Sequence, residues 1–244
     1  MEKSFAFKNI ETGYTSTNVA TKKGITSKTL ILLALMLLSG IVTGYYLLVV
    51  LSGSGNASIF MGVLVASLFV SFIAALVGRW KRSAAKPASI IYSISEGIGL
   101  GAITTLFDLA VPGIGFAAAA SVAGIFAVML LLYHFNIIRP TRKFQSFLLG
   151  FGISLIIMVI VTSLMYRNIS EFSPALVIGL ESIFIAFGAL SLIQNFGELD
   201  AVVSMGADKN EEWACALGLS ITLAYIYIYV LRILYYIAMI FGDR

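Results

Sequence analysis

The chain has 244 residues, of which 59% are hydrophobic and only 11% are charged. A soluble globular domain typically carries about 25% charged residues, so this sequence has too few polar side chains to cover a soluble domain. The mean hydropathy of +0.99 excludes that class and predicts an all-α, polytopic membrane protein. The single cysteine excludes an intrachain disulfide and a cysteine-based zinc cluster.

The amino-terminal segment, residues 1–28, is polar and contains five lysines. It lacks the apolar stretch and small-residue cleavage site of a secretory signal. We therefore predict that residues 1–28 form a cytosolic tail, which meets the bilayer at "TSKTLILL".

Seven stretches are long and apolar enough to cross a bilayer, because a helix needs about 20 mainly apolar residues to do so. In chain order they are about 29–51, 58–78, 88–109, 114–136, 144–166, 174–195 and 213–240, and together they form a transmembrane domain over 29–244. All four prolines fall at the proposed boundaries, where a missing backbone donor costs least. The last stretch is rich in tyrosine, whose buried hydroxyls need partners, so we expect a seven-helix bundle with the last helix central.

The distribution of lysine and arginine predicts the orientation. Thirteen of the 16 lie in the tail and in the loops after the second, fourth and sixth spans. Because cytosolic loops carry the excess of positive charge, the amino terminus is predicted to be cytosolic. An odd number of spans then places the carboxyl terminus outside.

Ionisable residues inside spans are costly and are by default candidates for function. The spans contain Glu96, Glu181 and Arg232, and Asp108 lies near a membrane edge. Glu96 is interpreted as a structural carboxyl bonded to another helix, as a proton- or cation-responsive site on an ion pathway, or as a lipid contact. Glu181 has the same alternatives. Arg232 either extends to the interface or forms an ion pair.

The sequence around Glu96, "YSISEGIGLGAIT", contains a pair of glycines four residues apart, Gly97 and Gly101. Such a small-xxx-small pair lets another helix backbone approach closely. Thr104 and Asp108 share the glycine face, since steps of three and four residues keep to one side of a helix. Glu96 borders this face, so we expect its side chain to point at a neighbouring helix.

The sequence contains no P-loop, no H-E-x-x-H, no G-x-S-x-G and only one histidine. We therefore predict that the protein is not an enzyme and has no cofactor or metal centre. Five acids follow the sixth span: Glu198, Asp200, Asp208, Glu211 and Glu212. They either concentrate cations at the inner mouth of a pathway or form a solvated connector.

The stretch "NFGELDAVVSMGADKNEEWACALGLSITLAYIYIYVLRIL" resembles the carboxyl-terminal signature of the Bax inhibitor family, in its bacterial YccA-like branch. The matching features are an acidic segment before "GA-x-K", then "EW", "GL-x-x-TL" and "LRIL". The segments "GITSKTLILL", "YSISEGIGLGAIT" and "YHFNIIRPTRKF" resemble earlier parts of that branch in the same order.

The resemblance implies a seven-helix bundle around the last helix, in a bacterial cytoplasmic membrane. It also implies a pH-sensitive calcium leak with a pair of aspartates as sensor. Here the two sensor positions fall on Asn195 and Tyr229, and neither side chain carries a negative charge near neutral pH. An Asn195–Tyr229 hydrogen bond would leave the gate latched, or the sensing role would pass to Glu96 and Glu181.

Two functions remain open from the sequence. The first is an ion leak, of calcium or another cation, with Glu96 on the path and Asp108 at an outer mouth. The second is a non-conducting modulator that binds a membrane-anchored ATP-dependent protease in membrane protein quality control, a role associated with the YccA-like branch. The expected partners are the lipid bilayer, a cation or that protease, and not a nucleic acid.

Overall fold

The computed structural model describes residues 19–166 and 174–242. They form seven long helices: α1 (Lys22–Leu51), α2 (Ala57–Trp80), α3 (Ala85–Ala110), α4 (Ile114–His134), α5 (Arg142–Tyr166), α6 (Pro174–Ser204) and α7 (Glu211–Gly242). All seven are long and apolar enough to cross a membrane. The prediction of an all-α, seven-span protein is confirmed.

Several helices extend beyond the predicted spans. The first begins at Lys22 instead of residue 29, because the Thr21 side chain accepts a hydrogen bond from Gly24 N and caps it. The sixth continues to Ser204 instead of ending at 195. Its 31 residues measure about 46 Å at about 1.5 Å per residue, against a hydrocarbon core of about 30 Å. The helix is therefore longer than a single crossing requires.

The turns between helices use the residue types that such turns require. The α1–α2 turn contains Gly53 at φ 83°, a left-handed conformation that favours glycine. Asn56 then caps α2 by accepting a hydrogen bond from Ile59 N at 3.2 Å. Gly113, at φ 84°, occupies the cap position of α4.

The chain divides into two compact units. The first comprises Met1–Ala110 with Glu198–Ala224, and the second comprises Val111–Gly197 with Tyr225–Arg244. Helices α6 and α7 therefore contribute to both units. Of the seven spans α7 is the most extensively buried, in keeping with the interior position that its tyrosines predicted.

In the first unit, α3 packs against both α1 and α2. A Cβ atom added at Gly101 would overlap the backbone of Gly40 in α1, and one at Gly97 would overlap Ser39 and the carbonyl of Met36. The two glycines thus allow α1 to approach the backbone of α3, which is the packing that a small-xxx-small pair favours.

In the second unit, α6 and α7 run antiparallel and meet through aromatic side chains. Phe184 stacks on Tyr229 with ring centroids 4.6 Å apart and an interplanar angle of 8°. One turn further along α6, Gly188 leaves room for Tyr225 and Ile226. These contacts fix the register of the two helices and thereby the positions of their polar residues.

Candidate functional site

Glu96 lies on α3 in the first unit and is half-buried. Its side chain lies close to the hydroxyl of Ser71, on α2. The structure describes residues 19–166 and 174–242, and none of the ion pairs among them includes Glu96. The carboxyl is therefore turned to a neighbouring helix and has a polar partner that carries no charge.

The contact between Glu96 and Ser71 depends on the location of one proton. The Ser71 hydroxyl lies 3.1 Å from the Leu68 carbonyl oxygen and donates to it. A serine hydroxyl has a single proton to donate, so while Ser71 bonds to Leu68 it can only accept from a protonated Glu96. For Ser71 to donate to an ionised Glu96, its proton would have to turn away from the Leu68 carbonyl oxygen.

Glu181 and Arg232 come together in the second unit. Arg232 Nη2 on α7 lies 2.7 Å from Glu181 Oε1 on α6. Glu181 is 3% exposed, and its second oxygen, Oε2, is buried without a hydrogen-bond partner among the described residues. The guanidinium also lies 5.8 Å from the Tyr229 ring centroid. Arg232 thus forms the ion pair that was one of its two predicted roles.

The structure does not bring Asn195 and Tyr229 together. Tyr229 stacks on Phe184, and Asn195 lies eleven residues further along α6, a separation of about 16 Å. Tyr229 hydrogen-bonds to Tyr225 within α7. The expected hydrogen bond between Asn195 and Tyr229 therefore does not form, because the register of α6 and α7 places Tyr229 opposite Phe184.

Asp108 lies in the last turn of α3, which ends at Ala110, and its side chain is exposed. Twelve residues separate it from Glu96, which corresponds to about 18 Å along the helix. This position at a helix end agrees with its predicted place near a membrane edge.

The acidic residues after the sixth span are mostly buried or ion-paired, which differs from an open acidic mouth and from a fully solvated connector. Three of them, Glu198, Glu211 and Glu212, are 8%, 3% and 1% exposed. Four pair with basic residues from distant parts of the first unit. The pairs are Lys22–Asp200 at 2.5 Å, Lys28–Glu212 at 2.5 Å, Arg79–Glu198 at 3.3 Å and Arg82–Glu211 at 3.1 Å. The fifth, Asp208, accepts a hydrogen bond from Asn210 N at 2.7 Å.

These pairs correct both sequence-based interpretations of the acidic segment. They join the start of α1 and the end of α2 to the end of α6 and the start of α7. We refer to these helix ends as the basic end of the first unit. The sequence placed these acids and bases on the same predicted side of the membrane, but their pairing depends on the fold.

Glu212 holds the start of α1 against the start of α7. Its Oε1 accepts hydrogen bonds from Thr21 N at 2.8 Å and Thr21 Oγ1 at 3.1 Å, and its Oε2 accepts from Lys28. Nearby, Ala20 N donates to Ala207 O at 2.8 Å. We call this arrangement of residues 19–28 on residues 207–212 the N-terminal clasp.

No group of three or more His, Cys, Asp or Glu side chains that could hold a metal ion occurs within the described ranges. The acids that do cluster are neutralised by lysine and arginine.

Together, the seven apolar helices, the half-buried carboxyl on α3 and the ion-paired helix ends define a multi-pass α-helical membrane protein. The family model described as Bax inhibitor 1 like matches residues 2–239. Because this match covers nearly the whole chain, the protein belongs to the Bax inhibitor 1 like family. A search of the curated proteins found no match.

Proposed function

We propose that the protein is a pH-responsive cation leak in a bacterial cytoplasmic membrane, with Glu96 as the carboxylate on the path. In this proposal the amino terminus is cytosolic, the carboxyl terminus is outside, and the protein performs no catalysis. Calcium is the ion that the family resemblance implies, and another cation would use the same carboxylate. The proposal rests on one observation, that Glu96 is a half-buried carboxyl in a span and takes part in none of the ion pairs between described residues.

A carboxyl in this environment can change its charge without breaking an ion pair. Glu181 differs, because its charge is compensated by Arg232 at 2.7 Å. The acids of the basic end are similarly paired and have little charge left to attract a cation. Protonation of Glu96 removes a negative charge from the span, while ionisation restores it. Cation affinity along α3 would therefore follow pH.

The test is calcium flux into liposomes that contain a calcium dye, measured from about pH 5 to about pH 8. Wild-type protein is expected to conduct in a pH-dependent way, and Glu96→Gln to lose that dependence while keeping a polar side chain near Ser71. Asp108→Asn, which makes the same charge change on the exposed end of the same helix, should retain the pH dependence. Flux no higher than that of empty liposomes at every pH would overturn the proposal, as would unchanged pH dependence in Glu96→Gln.

A second candidate function is a non-conducting modulator that binds a membrane-anchored ATP-dependent protease. The neutralised acids of the basic end favour it, because a pathway for cations usually has an uncompensated acidic entrance. The matching experiment is co-purification of the protease with the full chain and with a deletion of residues 2–17. This deletion spares the N-terminal clasp. Loss of the protease from the deletion variant, without flux in the full chain, would favour the modulator.

A further inference from the structure

Two lysines flank the indole of Trp213 at the basic end of the first unit. The Lys28 ammonium lies 5.1 Å from the ring centroid and the Lys86 ammonium lies 5.9 Å from it. Lys28 belongs to α1, Lys86 to the first turn of α3 and Trp213 to the first turn of α7. The ends of three helices thus converge on one aromatic ring, and cation–π contacts hold both ammonium groups near it.

The two lysines differ in how their charges are compensated. Lys28 pairs with Glu212 at 2.5 Å. Lys86 takes part in none of the ion pairs between described residues, and the same is true of Lys81, which directly follows α2. The arginines on either side of Lys81 are paired with Glu198 and Glu211. Uncompensated positive charge therefore remains at Lys81 and Lys86.

The surroundings of these lysines match the level of lipid headgroups. The chain has two tryptophans, and both lie at this end: Trp80 is the last residue of α2 and Trp213 is near the start of α7. The Trp80 side chain is exposed, and tryptophan is enriched at the interface between membrane and water. Within two turns of α3 from Lys86, Ile91 and Ile94 are exposed and offer an apolar surface for acyl chains.

We propose that Lys86, together with Lys81, binds the phosphate headgroup of an anionic phospholipid, with the acyl chains along α2 and α3. A phosphodiester carries a permanent negative charge and accepts hydrogen bonds, which suits two ammonium groups that lack an acidic partner. Basic pockets between membrane helices on the cytosolic side recognise anionic headgroups in this way. The headgroup site does not depend on conduction, since neither Lys81 nor Lys86 pairs with Glu96.

The test uses the full-length protein in nanodiscs of phosphatidylcholine mixed with phosphatidylglycerol. Retained lipid is measured by native mass spectrometry after release from the nanodisc. Wild-type protein should retain phosphatidylglycerol in preference to phosphatidylcholine. Lys86→Gln should lower that preference about fivefold, as expected for one lysine at a membrane surface, and Lys86→Arg should keep it.

The matched control is Lys143→Gln, which removes the same charge from the first turn of α5 in the second unit. It should leave the preference unchanged. Equal losses in Lys86→Gln and Lys143→Gln would show diffuse attraction to the bilayer and overturn the site. No preference in the wild type would also overturn it. Circular dichroism on Lys86→Gln confirms that a loss of lipid does not arise from a loss of fold.

Discussion

Arg232 on α7 and Glu181 on α6 form an ion pair at 2.7 Å in which one partner is much more buried than the other. The Glu181 side chain is 5% exposed, whereas the Arg232 side chain is 41% exposed. Removal of the Arg232 charge and removal of the Glu181 charge are therefore expected to lower the free energy of unfolding by different amounts. The unpaired carboxylate would stay buried, while the unpaired guanidinium could extend to the interface.

We expect Arg232→Gln to lower the free energy of unfolding by about 3 kcal/mol, because it leaves an uncompensated buried charge. Glu181→Gln should cost about 1 kcal/mol, and the double variant should be more stable than Arg232→Gln alone. Thermal unfolding in detergent measures all three. A double variant less stable than Arg232→Gln would contradict the pairing.

The close approach of α1 and α3 predicts a strong effect of adding a methyl group at Gly101. A Cβ atom there would overlap the backbone of Gly40, which cannot move without shifting α1. Gly101→Ala should therefore destabilise the protein by about 2 kcal/mol, the usual cost of overpacking.

The control is Gly62→Ala in the second turn of α2, where an added Cβ atom would meet nothing within 4 Å. Alanine has the higher helix propensity, so this change should be neutral or stabilising by up to about 1 kcal/mol. Thermal unfolding and size-exclusion profiles compare the two. Similar losses of stability from both substitutions would show that these spans require glycine for a reason other than the close approach of α1.

The N-terminal clasp predicts that Glu212→Gln will loosen the start of α1. The substitution weakens the bond to Lys28, which is 13% exposed and would lose its anionic partner. Hydrogen exchange at the Ala20 amide, which donates to Ala207 O, should become faster.

Asp200→Asn is the matched control for the clasp, because it removes a carboxylate that also pairs with α1. Its partner, Lys22, is 66% exposed, and exposed pairs contribute about 0–1 kcal/mol. Exchange at Ala20 should change little in this variant. Equal acceleration in both variants would indicate that total charge, and not the Glu212 contacts, holds the clasp.

Cys215, on α7, offers a direct report on unfolding. It is the single cysteine of the chain and is 6% exposed. A maleimide reagent should label it slowly in the folded protein and completely after denaturation, since a buried thiol is inaccessible. Labelling of the folded protein as fast as that of a free thiol would contradict the burial of the first turns of α7.

The sequence predicted the number and class of the helices well, because the length of an apolar stretch is a local property. It placed the end of α6 at residue 195, since Glu198 and Asp200 are typical of a loop. The helix continues because these acids meet Arg79 and Lys22, which are 119 and 178 residues away in the chain. Partners so distant leave no pattern in the local composition.

The register of α6 and α7 was also beyond the reach of the sequence. Matching short motifs placed the two sensor positions at Asn195 and Tyr229 by separate alignments. Packing of the aromatic rings instead sets Tyr229 against Phe184, and Glu181 against Arg232. Asn195 and Tyr229 each match a motif of the family, yet they lie several helical turns apart. The packing of large side chains decides which turns of α6 and α7 face each other, and motif matching does not detect that packing.

The N-terminal clasp joins the parts of the chain that a ribosome makes early to parts that it makes late. Thr21 bonds to Glu212 across 191 residues, and Ala20 bonds to Ala207. During synthesis the start of α1 is therefore inserted long before its partners exist, and the clasp can close only after α6 has been translated. Closure of the clasp thus waits for the synthesis of residues 207–212, and a truncated product that stops before Glu212 would leave the Lys28 ammonium without its carboxylate.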